Sequence, residues 1–201
     1  MVDGVFAILL AAGESSRMGS LKAMLPWRGV PLIEHQIRCL IDAGVNQVVV
    51  VLGHEANLLK PIVESVYGAG WVVNSDYLLG KTTSIKAGFK GLTIPSTKQV
   101  VLLSVDQPRR PDSVRALLER HTSSYSTITI PTYQGKGGHP IVLSASVLPE
   151  VAKIEEETRG LLAVVRRHAD ETDRFEINDP SLVWDLNTPE QYQQALDASL
   201  Y

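Results

Sequence analysis

Residues 5–10, Val-Phe-Ala-Ile-Leu-Leu, form an unbroken apolar run. It stops at Ala11-Ala12-Gly13 and passes at once into the polar loop Glu14-Ser15-Ser16-Arg17-Met18-Gly19-Ser20-Leu21-Lys22. A run of this kind predicts a strand buried on both faces, as in a parallel sheet covered by helices. The break constrains the chain as much as the run does. Small residues after a strand let backbone N–H groups approach an anion with no side chain in the way. Arg17 and Lys22 bring positive charge to the same mouth, and Ser15 and Ser16 add hydroxyl donors. That inventory suits a triphosphate. The competing reading is an ordinary surface loop, with Gly13 and Gly19 serving turns and the charges in water.

Two familiar phosphate motifs are excluded by spacing. Gly13 and Gly19 lie too far apart for a P-loop, and Ser20 follows the second glycine where that motif needs lysine. The dinucleotide fingerprint G-x-G-x-x-G fails at residue 15, which is serine.

The rest of the chain alternates helical and strand patterns. Residues 31–43 have helical apolar spacing, with a proline to open and Gly44 to close. Residues 47–52 read as a buried parallel strand, 58–66 as a helix, 71–73 as a short strand and 83–92 as a helix. Residues 99–105 are the most hydrophobic strand, and 111–121 are helical. Residues 127–131 and 139–143 read as strands joined by a Gly-rich turn, 158–168 as a helix with a basic last turn, 174–177 and 183–186 as short strands. Thr188-Pro189 starts a last helix reaching about residue 196. The alternation predicts an α/β fold with a largely parallel sheet and helices on both faces.

A chain of 201 residues with no linker or repeat fits one domain spanning 1–201. A net charge of −3 supplies no basic field, so nucleic acid is not an expected partner. No apolar run approaches the roughly 20 residues of a membrane helix. Cys39 is the only cysteine, and the first residues show no signal-peptide pattern, so the expected location is cytoplasmic.

Three further segments carry chemistry. The strand at 99–105 runs into Asp106-Gln107-Pro108, and a carboxylate just past a central strand stands where open α/β sheets bind ligands. Beside a triphosphate loop it suits Mg²⁺; alone, it is also a common turn aspartate before proline. In Asp185-Leu186-Asn187-Thr188-Pro189, alternate residues of a strand end share one side, and the same stretch caps a helix. The loop Gly135-Lys136-Gly137-Gly138-His139-Pro140 places Lys136 and His139 to meet an anionic substrate, or is a hairpin turn with a solvated lysine. His35, His121 and His168 read as packed or capping residues, Cys39 as core, and no zinc set is apparent.

Residues 10–22 fill every fixed position of the pattern L-A-A/G-G-x-S-x-R-M-G-x-x-K, followed by Leu25-Pro26-Trp27-Arg28-Gly29-Val30-Pro31-Leu32-Ile33. The chain thereby resembles the MobA-like nucleotidyltransferases, and the resemblance covers nearly its whole length. It implies a Rossmann-like three-layer sandwich with a mostly parallel mixed sheet, of the nucleotide-diphospho-sugar transferase type. The resemblance also implies a nucleotide site formed by Leu10, Ala11, Ala12, Gly13, Ser15, Ser16, Arg17, Lys22, Asn74, Ser84 and Asp106. Arg17, Lys22 and Asp106 would be catalytic. Asp106, matching the family's Asp-x-Pro, and Asn187, in a D-x-N-T-P-E-x-Y stretch, would hold Mg²⁺. Gly138, His139 and Pro140, with Lys136, would face the acceptor. Lys81 departs from the pattern, standing where relatives carry an apolar residue.

The triplet Ala11-Ala12-Gly13 is similar to the CTP-using branch, Ala-Gly-Gly to the GTP-using one. The Cβ of Ala12 would narrow a base pocket that glycine leaves open for a purine. The implied reaction is transfer of CMP from CTP to the terminal phosphate of molybdopterin, with a passing contact to a molybdoenzyme or its chaperone. The rivals are GTP or another phosphorylated acceptor, such as a sugar phosphate, and a non-catalytic cofactor carrier.

Overall fold

The computed structural model describes residues 4–92 and 97–199. Its strands are β1 (Val5–Ala11), β2 (Pro26–Trp27), β3 (Val30–Pro31), β4 (Gln47–Leu52), β5 (Ala69–Val73), β6 (Gln99–Ser104), β7 (Ile128–Tyr133), β8 (Lys136–Gly137), β9 (Ile141–Ser144) and β10 (Thr172–Glu176). The helices are α1 (Leu32–Asp42), α2 (Ala56–Glu64), α3 (Lys81–Lys90), α4 (Pro111–Ser124), α5 (Leu148–Val151), α6 (Leu161–Arg167) and α7 (Pro189–Ser199).

The main sheet runs β10-β7-β9-β6-β1-β4-β5, with β8 paired to β7 and only β8 and β9 antiparallel to their neighbours; β2 and β3 form a separate pair. β1 lies between β4 and β6, parallel to both, and is buried at every position. Its side chains alternate between two cores, as the twofold period of a strand requires. Val5, Ala7 and Leu9 pack with Leu32 and Leu40 of α1, Leu59 of α2 and Leu117 of α4. Phe6, Ile8 and Leu10 pack with Ile85 and Phe89 of α3 and Val164 of α6. Each fully buried aliphatic side chain of this kind contributes about 1.5–3 kcal/mol. The result is the expected mixed, mostly parallel sheet with helices on both faces. It gathers the C-terminal ends of β1, β4 and β6 at one edge. No helix among the described residues is long and apolar enough to cross a membrane.

Three local expectations are corrected. Residues 183–186 are not a strand: Pro180–Val183 is a 3-10 turn. The Asp179 side chain accepts from the Ser181 N–H, and Arg109 collects the Ser181 and Trp184 carbonyls. Those backbone groups are thus satisfied without a sheet neighbour. Helix α6 starts at Leu161 and not at residue 158, because Arg159 and Gly160 take φ of 66° and 55°. The turn after β7 is itself paired, as Lys136–Gly137 folds back on β7 before β9 begins at Ile141.

Candidate active site

The loop after β1 is held from both ends. The Ala12 carbonyl accepts from the His54 N–H (3.0 Å), and a Cβ on Gly53 would stand 2.7 Å from that carbonyl oxygen. Only glycine lets the end of β4 come this close. Farther along, Ser15 adopts the left-handed conformation (φ 58°) and its Oγ accepts the Lys22 N–H (3.0 Å). Buried Met18 anchors the turn between them. The Ser15 hydroxyl oxygen is therefore used in closing the loop.

That closure aims Lys22 across the sheet edge. Its Nζ donates to Asp106 Oδ2 and to Asn187 Oδ1, both at 2.8 Å. Asp106 follows β6, and its carbonyl accepts the Leu186 N–H (2.8 Å), which lays residues 185–187 alongside. Arg17 stands at the exposed rim, its Nη2 3.5 Å from Asn187 Oδ1. Two oxygens from residues far apart in the chain thus meet on one ammonium.

A cleft of about 540 Å³ opens over this cluster. Leu10, Ala11, Ala12, Gly13, Ser15, Lys22, Ser84, Asp106, His139 and Asn187 all line it. Ser16 is exposed and, like Arg17, is not among the lining residues. Asn74 is buried behind the wall: its Nδ2 donates to Thr83 Oγ1 (2.9 Å) and Ser84 Oγ (3.0 Å), and its Oδ1 accepts the Asp76 N–H. It positions the start of α3, and Ser84 Oγ, having accepted from Asn74, is left with its own proton to donate.

A second cavity of about 450 Å³ adjoins the cleft and shares Lys81, Ser104 and His139 with it. Ile85, Leu102, Ile130, Ile141 and Leu161 make it apolar, while Arg159 and Arg174 bring cations to its wall. Gly138 and His139 line it, but Lys136 is exposed outside both cavities and Pro140 is buried without lining either. Gly138 is required by packing, since a Cβ there would lie 2.2 Å from the Leu182 carbonyl oxygen. The His139–Pro140 peptide is cis. Burial first, then the Lys81 and Arg109 charges, push the His139 imidazole down to about 4. At neutral pH it is an uncharged hydrogen-bonding ring and not a cation.

Two residues to which the sequence assigned no role brace both cavities. Arg109 is 2% exposed; its Nε donates to the His139 carbonyl (2.7 Å), and its Nη1 reaches the Pro108, Ser181 and Trp184 carbonyls. Burial lowers it to about 10, opposed chiefly by Asp185, so it stays charged at neutral pH. Gln107 donates to Asp185 Oδ1 (2.7 Å) and accepts the Ser104 N–H. Both lie within three residues of Asp106, and that proximity was the only signal.

The oxygens of Asp106 and Asn187 already converge on one cation, and hard oxygens of this kind suit a small divalent ion. Among the described residues no group of three His, Cys, Asp or Glu stands together, so further ligands for such an ion would come from phosphate oxygens.

Comparison with known proteins gives the family. Residues 7–172 match the MobA-like NTP transferase domain. The chain is 31% identical over 201 residues to nicotine blue oxidoreductase of Paenarthrobacter nicotinovorans, covering 96% of each. It is 25% identical to the molybdenum cofactor cytidylyltransferase of Escherichia coli K12, covering 95% of each. The crystal structure of Rv0371c from Mycobacterium tuberculosis shares the fold, with a TM-score of 0.82 at 23% identity over 96% of this chain and 97% of that one. Another structure of that protein is a manganese complex. With the loop after β1, the carboxylate after β6 and this likeness along its length, the chain belongs to the MobA-like NTP transferase family.

Proposed function

We propose that this protein transfers CMP from CTP to the terminal phosphate of molybdopterin, forming the cytosine dinucleotide and pyrophosphate. The observation that carries the reading is the Lys22 ammonium held between Asp106 and Asn187, in a cleft continuous with a cation-rimmed, apolar second cavity. An oxygen of the acceptor phosphate attacks the α-phosphorus, a new P–O bond forms, and the bond to the α,β-bridging oxygen breaks as pyrophosphate leaves. A phosphate monoester is already ionised near neutral pH, so no strong base is needed. The chain has to align two anions and offset their charge. Lys22 in the cleft and Arg17 at its exposed rim would meet the triphosphate, and backbone N–H groups of the loop after β1 would add neutral donors. Asp106 and Asn187 would hold Mg²⁺, which supplies charge neutralisation on the phosphates. Ala12 lines the cleft, and the choice of CTP rests on the likeness of Ala11-Ala12-Gly13 to the CTP-using branch.

The test is pyrophosphate release with Mg²⁺ and intact molybdopterin, comparing CTP with GTP and wild type with Asp106→Ala. Release with CTP, reduced about 10²–10³-fold in the variant, is expected. Preference for GTP would overturn the Ala12 argument and keep the chemistry. Release only with a phosphorylated sugar would change the acceptor.

A second reading is favoured by the relative named as an oxidoreductase together with the apolar second cavity. In that case the cleft would hold a reduced, phosphate-bearing cofactor, whose phosphates suit the loop after β1, and the apolar cavity its oxidant. Oxidation of the reduced cofactor in the presence of a quinonoid dye, with no pyrophosphate release, would select it.

A further inference from the structure

The two cavities meet at three residues, Lys81, Ser104 and His139. In the reading above, this boundary is where the acceptor phosphate must approach the α-phosphate of the nucleotide. Two anions brought together in a partly enclosed site repel strongly, and a fixed cation between them offsets that repulsion.

Of the three shared residues, Lys81 is the cation. It is the first residue of α3, reached through Gly80 at φ 116°. Its side chain makes no hydrogen bond or ion pair with any described residue. Glu156 also lines the second cavity, but its Oε2 accepts the Thr82 N–H (3.1 Å), its carboxylate packs on Gly80, and it forms no ion pair with Lys81. Lys22, by contrast, already has two oxygen partners on the nucleotide side. Arg159 and Arg174 line the acceptor cavity but not the cleft.

We infer that Lys81 holds the attacking phosphate of the acceptor at the boundary of the two cavities, and so selects acceptors that end in a phosphate monoester dianion. This assignment rests on the transferase reading. The motif residues of the nucleotide side would bind the triphosphate equally well with or without it. Lys81 lines both cavities and its ammonium has no partner of its own, so it is free to meet a phosphate that enters from the second cavity.

The experiment compares wild type, Lys81→Met and Lys81→Arg by pyrophosphate release, varying molybdopterin at saturating CTP and the reverse. Lys81→Met is expected to lower kcat/KM for the acceptor tenfold or more while KM for CTP stays within twofold, and Lys81→Arg to recover most of the loss. The wild-type acceptor kcat/KM should rise through the second phosphate ionisation near pH 6, and that rise should flatten in Lys81→Met. Thermal melts of the three proteins should coincide, since Lys81 is exposed and unpaired. Acceptor kcat/KM unchanged in Lys81→Met, or a loss falling equally on CTP, overturns the inference and leaves the transferase standing. Wild type that neither binds CTP by calorimetry nor releases pyrophosphate overturns the transferase reading, and this inference with it.

Discussion

The two adjoining cavities are built in opposite ways. In the cleft over β1 and β6, the proposed nucleotide side, polar groups are committed to one another: Lys22 to Asp106 and Asn187, Ser15 to the Lys22 N–H, Asn74 to Ser84. In the second cavity, the proposed acceptor side, apolar walls carry Glu156, which accepts the Thr82 N–H, and three cations, Lys81, Arg159 and Arg174, whose side chains have no hydrogen-bonding partner among the described residues. The first arrangement is preorganised, so little has to be reordered when a triphosphate arrives. The second leaves charge to be satisfied by whatever ligand enters. A site that handles one constant and one variable substrate gains from this division, because the constant half is wired in advance and the other is read by contact.

Four experiments would break or sharpen that contrast. Arg109 serves both halves, so Arg109→Met should have the largest effect, costing about 3–5 kcal/mol because several buried carbonyls lose their donor at once. A thermal melt should show it as a fall of roughly 10 °C; an unchanged melt would mean that the two halves do not depend on this brace.

Asp106→Ala should follow, with turnover down about 10²–10³-fold. Its melting temperature should stay within a few degrees, since the carboxylate is half-buried and its partner Lys22 can turn to Asn187 and water. A loss of folding in place of activity would show that the Lys22 cluster is structural.

The third effect depends on pH. His121 bridges Thr129 Oγ1 (2.7 Å) and Ser144 Oγ (3.0 Å), tying α4 to β7 and β9, the strands that lead to the acceptor loop. Burial pushes it down to about 4 from its ordinary 6.5, so the folded state resists protonation that the unfolded chain accepts. Its stabilising contribution is complete above pH 6.5 and is lost as pH falls from 6.5 to 4, by about 2–3 kcal/mol. Urea midpoints at pH 7.5 and 4.5 should differ more for wild type than for His121→Gln. Hydrogen exchange at the lower pH should rise in β7 and β9 before the loop after β1. Equal loosening of both regions would remove the distinction.

The smallest effect is expected at Arg174. Arg174→Gln should raise KM for the acceptor about two- to fivefold, in line with an exposed charge contact, and leave KM for CTP alone. A change in the CTP value would place Arg174 on the wrong side of the boundary.

The residues that were legible in advance share a property. The loop of residues 10–22 is contiguous, and its composition and order alone marked it as the wall of a cleft, which it is. Asp106 was legible because it ends the most hydrophobic strand, and strand ends are where such sheets bind ligands. The misread stretch, residues 183–186, had strand-like apolar content, but its backbone groups are taken by Arg109 and by turns, which local propensity does not reveal. His139 was read as a partner for anions; its environment makes it neutral, and that follows from burial and from Lys81 and Arg109, distant in the chain.

By itself, the sequence determined the α/β alternation, the buried first strand, the small-residue polar loop that follows it and the carboxylate after β6, because each depends on hydrophobic period or on residues close together in the chain. Only the tertiary structure decided which side chains meet. Lys22 finds Asp106 across 84 positions and Asn187 across 165, and Lys81 comes to stand between two cavities. Those pairings follow from the order of β6, β1 and β4 in the sheet. Strand order is set by how whole helices and strands share a core, a sum over many weak contacts that no single segment carries.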